Sequence, residues 1–268
     1  MSRLRGKTIV LTGASSGIGA VAAQKMAAAG ARLCLVARDV EQLQAVQQEI
    51  RRAGGQAWVY PADLTIEEQA AACAQAILDE HPRVDVLINN AARSIRRPIT
   101  EALDRLHDYQ RTIQINFIGA VSLTLKLLPR MLEQGGGQVV NISTLSTQVP
   151  IPLFSAYLAS KSALESFSRS LQAELGHQGL DVTVVHFPMV RTPMSGRTDI
   201  YKHMRMMDTE GAANWLVRAV KKRPARIASP LGKVGSVLLA AAPGMATRLP
   251  QPLFRLMDWR LKKKFERD

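Results

Sequence analysis

The apolar run Thr8-Ile9-Val10-Leu11 leads directly into Thr12-Gly13-Ala14-Ser15-Ser16-Gly17-Ile18-Gly19, and an alanine-rich stretch from Ala20 to Ala29 follows and ends at Gly30. The run reads as a buried strand, and the alanine-rich stretch as a helix closed by a glycine. Strand, glycine turn and helix, in that order, aim backbone N–H groups and the positive end of a helix at a pyrophosphate. Gly13 permits the tight turn, Gly17 lets a phosphate come close to the backbone, and Gly19 lets the helix pack near the strand. The spacing is not G-x-G-x-x-G, so the loop by itself does not establish a nucleotide site.

What surrounds the loop is a regular alternation. Strands are expected over 8–12, 32–37, 57–61, 84–89, 138–142, 182–187 and 226–228, and helices over 17–29, 40–53, 66–80, 106–132, 155–177 and 209–222. The strands read as unbroken Val, Ile and Leu rather than alternating, which marks a parallel sheet buried on both faces. The fold class is therefore α/β: one doubly wound domain, a parallel seven-stranded sheet flanked by helices, with right-handed crossovers. A chain of 268 residues, 47% hydrophobic, can build one such core; the domain is expected to occupy residues 1–230. Within it, 189–208 is polar and weakly periodic and reads as a loop over the site.

The formal charge of +13 is unevenly spread: from Arg191 onward 17 Lys/Arg stand against 6 Asp/Glu, whereas the 190 residues before hold 18 and 16. A solvated basic face is the plain explanation; attraction to anionic lipid or to a phosphate-bearing substrate is the functional one. No nucleic-acid recognition motif accompanies the charge, so nucleic acid is not an expected partner. Residues 231–268 form a separate basic, amphipathic, helical C-terminal extension. Its uncharged stretch of 14 residues, 234–247, falls short of the roughly 20 that span a bilayer. After Pro250, Leu253, Phe254, Leu256, Met257, Leu261 and Phe265 mix with Arg255, Arg260, Lys262, Lys263 and Lys264, as in an interfacial helix. Peripheral membrane or acyl-chain contact is one use for it; packing over the substrate pocket or on a partner subunit is the other. The two cysteines, Cys34 and Cys73, support neither a disulfide framework nor a zinc site, and no metal is expected. With no signal peptide before the first strand, the expected location is cytoplasmic, with or without membrane association.

Tyr157 and Lys161 lie four residues apart, on one helix face a turn from each other. A phenol with a pKa of about 10 is a poor acid or base at neutral pH. An ammonium beside it favours the phenolate and is expected to pull that pKa down. Such a pair also arises by chance on ordinary half-buried helices; the glycine loop upstream is what gives it weight.

Taken together, these residues resemble the short-chain dehydrogenase/reductases over roughly residues 5 to 230, which implies a Rossmann domain. Thr12–Gly19 is similar to that family's cofactor loop, with Gly13, Ser15, Ser16, Gly17, Ile18 and Gly19 as contacts. Asp63-Leu64 matches the acid–apolar pair at the adenine ring, and Asn89-Asn90-Ala91-Ala92 the strand-end motif, with Ala92 where glycine is usual. Asn116 matches the helix asparagine that positions a relay water. Tyr157 and Lys161 match the acid/base pair, the lysine also holding the nicotinamide ribose. Pro188, Val190 and Thr192 match the nicotinamide-contacting segment, with Met189 where glycine is frequent. The family's serine, 13 residues before the tyrosine, is here Thr144, with Ser143 as the second candidate.

NAD-preferring members place an acid at the end of the second strand. This chain has Ala37 and then Arg38, and a guanidinium suits a 2′-phosphate. NADP(H) is the expected cofactor, with Asp39 as the residue that speaks against it. A narrower resemblance, carried by Asn90 to Arg97, Asp104 to Tyr109, Phe154 to Tyr157, Val190 to Met194, Ile200 to Lys202 and Lys222 to Ala228, is to the bacterial long-chain fatty acyl-CoA reductases. It implies a small acyl or carbonyl substrate, acyl-CoA or a fatty aldehyde, reduced by hydride transfer with Tyr157 as general acid and no cysteine nucleophile. Arg93, Arg96 and Arg97 would then draw coenzyme A phosphates to the mouth, unless they merely solvate a loop. Two other readings stay open: a ketone, steroid or secondary-alcohol dehydrogenase with the same catalytic set, and a non-catalytic, nucleotide-binding, membrane-associated scaffold. Relatives pair their long helices, so the resemblance also implies a homodimer or homotetramer.

Overall fold

The computed structural model describes residues 4–149, 151–195, 206–252 and 255. Seven strands, β1 (Thr8–Thr12), β2 (Arg32–Ala37), β3 (Gln56–Pro61), β4 (Val86–Asn89), β5 (Gly137–Thr144), β6 (Leu180–Phe187) and β7 (Arg226–Ala228), form one sheet in the order β3-β2-β1-β4-β5-β6-β7. Every neighbouring pair runs parallel. The helices are α1 (Gly17–Ala28), α2 (Val40–Arg52), α3 (Glu67–Glu80), α4 (Leu106–Ile113), α5 (Gly119–Glu133), α6 (Ser155–Leu175), α7 (Thr209–Lys222), α8 (Pro230–Ala241) and α9 (Pro243–Arg248). Strand order turns back between β1 and β4, and in open α/β sheets a crevice for ligands opens there at the carboxyl ends of the strands.

Alternation along each strand explains why apolar residues fill every position. Ile9, Leu11, Leu33 and Leu35 pack on one face with Met26, Ile50 and Leu216 from α1, α2 and α7. Val10, Cys34 and Val36 pack on the other with Ile77, Leu127 and Leu171 from α3, α5 and α6. Each such side chain taken fully out of water contributes roughly 1.5–3 kcal/mol.

Three of the departures from the expected boundaries bear on the site; elsewhere ends shift by one or two residues, as where β6 begins at Leu180. β5 runs from Gly137 to Thr144, past the expected 138–142 at both ends, because it pairs with β6 along its whole length and the added Ser143 hydroxyl is satisfied inside the protein by Glu165. Gln138 Nε2 donates to Thr183 Oγ1 at 2.9 Å and to the Ala219 carbonyl at 3.0 Å, and Asn141 Nδ2 donates to Ser168 Oγ at 2.8 Å. β4 begins two residues later than expected, at Val86, since the Asp85 carboxylate is occupied by Lys7 Nζ at 2.8 Å and the Thr8 N–H at 2.9 Å. The single helix expected over 106–132 is α4 and α5 joined by one π-helical turn, Gln114–Ile118. Such turns insert one residue that a 3.6-residue period does not register, and they are frequent at functional sites. Of the loop expected over 189–208, residues 196–205 lie outside the described residues, as do 253, 254 and 256–268, which hold nearly all of the expected interfacial helix.

Candidate active site

The glycine turn is built against the end of β4. The Thr12 hydroxyl accepts from the backbone N–H groups of Asn90 and Ala91, both at 2.9 Å, and the Asn90 amide donates to the carbonyls of Thr12 at 3.0 Å and Gly13 at 3.2 Å. Gly13 adopts a left-handed φ of +64°, and a Cβ there would lie 2.9 Å from the Ala91 Cα. A Cβ on Gly19 would overlap the Gly13 carbonyl oxygen outright. Ser16, the residue before α1, makes no side-chain cap bond and the first turn holds no acid, so the N-terminal N–H groups of α1 themselves form an electropositive cradle. Gly17 lies under Thr192, whose Cβ would be 3.6 Å from a side chain at that position. The segment carrying Pro188, Val190 and Thr192 thus crosses over the turn containing Ser15, Ser16 and Ile18; the Thr192 N–H donates to Ser195 Oγ at 2.9 Å.

At the end of β2, Arg38 projects into solvent and its Nη1 is 3.7 Å from Asp63 Oδ2. Asp39, which spoke for NAD, instead caps α2, accepting the Gln42 N–H at 3.0 Å. Burial tends to raise the Asp63 carboxyl pKa, but hydrogen bonds from the Thr65 N–H and hydroxyl, with the Arg38 charge, outweigh it and hold the group below the usual carboxylate range. Leu64 packs its backbone under Gly119, where a Cβ would come within 2.5 Å of the Leu64 oxygen.

Asn116 occupies the π-helical turn and is buried. Its Oδ1 accepts the Arg93 N–H at 2.7 Å, and its Nδ2 donates to the Arg93 carbonyl at 2.8 Å and to Ser160 Oγ at 2.9 Å. The Ser160 hydroxyl in turn donates to the Tyr157 carbonyl at 2.7 Å. Asn116 therefore clamps the strand-end loop to the helix bearing Tyr157. Ser160 was not singled out from the sequence, although its place between Tyr157 and Lys161 was in plain view.

Lys161 is fully buried and donates from Nζ to the Ile142 carbonyl at 2.8 Å, and the ammonium lies 5.9 Å from the centre of the Tyr157 ring. Burial lowers the Lys161 pKa to about 8, against the opposing charge of Glu165. Tyr157 corrects the sequence expectation: burial raises its pKa to about 12 instead of the ammonium lowering it. The desolvation of a phenolate outweighs a cation engaged with a backbone carbonyl. The phenol is consequently protonated at neutral pH.

The β5 pleat separates the two candidate hydroxyls. Ser143 is buried and donates a short hydrogen bond to Glu165 Oε1 on α6. Thr144, at the strand end, is only half buried and accepts the Ser146 N–H at 3.2 Å. Glu165 also receives Thr147 Oγ1 at 2.6 Å and lies 3.4 Å from His186 Nδ1. Burial pushes the His186 pKa down, the Glu165 charge opposing it. This partly buried network brackets Thr144 on both sides. Sequence patterning missed it, since its members come from β5, the turn after it, α6 and β6.

The arginine-rich loop is partly structural. Asp108, buried on α4, takes Arg97 Nε at 3.2 Å, Arg105 Nε at 3.0 Å and Arg111 Nη2 at 2.9 Å. Arg97 is thereby committed to a carboxylate, and the expectation that it serves phosphates is corrected. Its N–H also binds the Leu153 carbonyl at 2.7 Å, just ahead of α6. Arg93 is exposed, and one buried guanidinium nitrogen of Arg96 has no hydrogen-bond partner among the described residues. The Arg105 hydrogen bond, followed by burial acting the other way and then the Arg111 bond, holds the Asp108 carboxyl at about 2. A depressed carboxylate stabilises the fold above its unfolded value, and that contribution is lost as pH falls through the folded one. Asp108→Asn is therefore expected to lower Tm by roughly 5 °C or more at neutral pH. The gap from the parent in urea midpoint should narrow as pH drops from about 4 towards 2; a gap independent of pH would mean that the ion pairs contribute nothing.

Among the described residues no group of three His, Cys, Asp or Glu could hold a metal. The family model described as short chain dehydrogenase matches residues 7–202. A fatty acyl-CoA reductase of Acinetobacter baylyi is 47% identical over 90% of this chain and 81% of its own length. A fatty acyl-CoA reductase of Mycobacterium tuberculosis is 40% identical over 92% of this chain and 85% of its own. Among solved structures, a metagenomic short-chain oxidoreductase in complex with NADP superposes with a TM-score of 0.72 at 30% identity, covering 84% of this chain and 96% of that one.

Proposed function

This chain belongs to the short chain dehydrogenase family and is an oxidoreductase, and we propose that it uses NADPH to reduce fatty acyl-CoA, or the fatty aldehyde derived from it. The observation that carries the substrate is the 47% identity to a fatty acyl-CoA reductase, extending past the catalytic helix. The site fits a dinucleotide phosphate: the space beside Gly13 and Gly19 is one that a Cβ would fill, and the α1 N-terminus faces it without an acid. Arg38 takes the 2′-phosphate and Asp63-Leu64 the adenine side, while Asp39 is spent on capping. Residues 1–230 act as the catalytic domain and 231–268 as an appended extension; α4, α5 and α6 pair with a second copy.

Bound NADPH supplies the hydride that adds to the carbonyl carbon. Tyr157 gives its phenolic proton to the carbonyl oxygen as negative charge gathers there, and Thr144 donates a hydrogen bond to the same oxygen. Lys161 keeps a cation beneath this pair, and Asn116 fixes the loop that borders it. With a thioester, the resulting hemithioacetal breaks its C–S bond, re-forms the carbonyl and releases aldehyde with free thiol. Neither cysteine is required; burial pushes both thiols up, Cys73 to about 12. Arg93 and Arg96 remain available for coenzyme A phosphates.

Purified protein is expected to oxidise NADPH on palmitoyl-CoA and release a titratable thiol, with NADH markedly poorer. Turnover of simple ketones without any thioester reaction would replace this assignment by the ketone or secondary-alcohol one. Absence of both would return the scaffold reading.

A further inference from the structure

We propose that the end of the molecule bearing the site mouth docks on an anionic lipid surface, chiefly through α8 and α9, with the 99–106 segment of the same edge assisting. The acyl-chain reading above gives this docking its purpose, but the docking is tested without it. In a wholly parallel sheet, every segment that leaves the carboxyl end of a strand starts from the same edge of the molecule. Thr144 sits at that edge, and so do the starts of α8, after β7, and of the 99–106 segment, after β4.

α8 has two unlike sides. On its inner side a Cβ at Gly232 or Gly235 would overlap the side chains of Gln148 and Val149, so the helix lies flush on the segment that follows Thr144. On its outer side Leu231, Val234 and Val237 are 63%, 68% and 69% exposed. Steps of three residues keep them within an arc of about 120°. Met245 on α9 and Leu249 just beyond it are more than half exposed, as are Ile99, Leu103 and Leu106 in the segment that leads into α4. A lone exposed leucine is ordinary; three aligned on one helix face, with further exposed apolar side chains on the neighbouring segments, are not.

Charge selects the occupant. No acidic residue occurs between Pro230 and Pro252, and from Arg191 onward 17 Lys/Arg face 6 Asp/Glu. Lys233, Arg248 and Arg255 are exposed among the described residues of the extension. A second copy seated on this face would set like charges together. A bilayer of anionic headgroups over acyl chains satisfies both the basic and the apolar groups, and it would let a long-chain substrate pass from lipid to the site without crossing water.

The test is co-sedimentation of the full chain with vesicles of phosphatidylcholine, alone or mixed with phosphatidylglycerol, beside the triple variant L231S/V234S/V237S. The parent is expected to bind the mixed vesicles, to bind the neutral ones far less, and to be partly released by salt. The triple variant should lose roughly tenfold or more in vesicle affinity while retaining the parent's melting temperature and its turnover of a short, soluble substrate. A second variant, I99S/L103S, leaves α4 and α8 untouched and should also weaken binding to the mixed vesicles. A parent that ignores anionic vesicles overturns the proposal. So does a change in oligomeric mass on introducing the triple substitution, which would assign the row to a subunit interface. Vesicle binding by a protein that fails to turn over acyl-CoA would leave the docking standing and remove the acyl-CoA reading alone.

Discussion

Tyr157→Phe is expected to lower kcat for reduction by roughly 10²–10⁴-fold, the range typical of losing a positioned proton donor. KM for NADPH and the melting temperature should stay near those of the parent. The substitution keeps the ring and its edge-on contact with Phe154, whose centroid is 6.5 Å away, and removes only the hydroxyl. The pH dependence adds a second signature. Burial holds the Tyr157 phenol near 12 and brings the Lys161 ammonium down to about 8. Across the range where activity is measured, Tyr157 remains protonated, and the group that changes charge is Lys161, cationic below about 8 and neutral above. kcat/KM for reduction should therefore fall as pH rises through about 8, with no inflection of its own from the tyrosine near 10. Phenylalanine at 157 that retained a tenth of the parent's kcat would exclude the phenol as the donor.

The sheet was legible because its strands are buried on both faces, so Thr8–Thr12 and Arg32–Ala37 carry an apolar residue at nearly every step and their ends were read correctly. Legibility failed where polar residues are satisfied at long range. Nothing in the local pattern around Ser143 announces Glu165 as its partner, so the apolar pattern ends β5 at Ile142, two residues short of Thr144. The same limit applies to the site. The glycine turn, Asn116, Tyr157 and Lys161 stand in a recognisable order along the chain. Glu165, Ser143, Thr147 and His186 meet only because α6 lies against β5 and β6. The direction of the Tyr157 shift was misread for a related reason: spacing shows that an amine is near a phenol, but it does not show how dry the phenol is. For Arg97, loop composition could not show that the guanidinium is already paired with Asp108.

Gly19→Ala should disable the cofactor cradle more thoroughly than any change to a contacting side chain. Gly19 lies inside α1 with an ordinary helical backbone, where alanine favours the helix by about 1 kcal/mol. Propensity alone thus predicts a stabilised protein. Packing predicts the reverse, because the added methyl would overlap the Gly13 carbonyl oxygen and come 2.9 Å from Asn90 Nδ2. Gly13 cannot simply yield: its carbonyl is held by the Asn90 amide at 3.2 Å, and its own Cα has the Ala91 backbone behind it. Relief requires α1 to back away from β1 or the turn to open, and either movement takes the α1 N–H groups off the phosphate. Overpacking of this kind costs about 1–3 kcal/mol. The expected result is a melting temperature lowered by several degrees and NADPH affinity, measured by nucleotide fluorescence, weakened by at least tenfold. Gly54→Ala makes the control. That residue is also a glycine, at φ +78°, but has nothing within 4 Å of its would-be Cβ, so it carries backbone strain without crowding and should leave NADPH binding intact. If Gly19→Ala bound NADPH as the parent does, the close approach of helix and turn would not be what shapes the phosphate site.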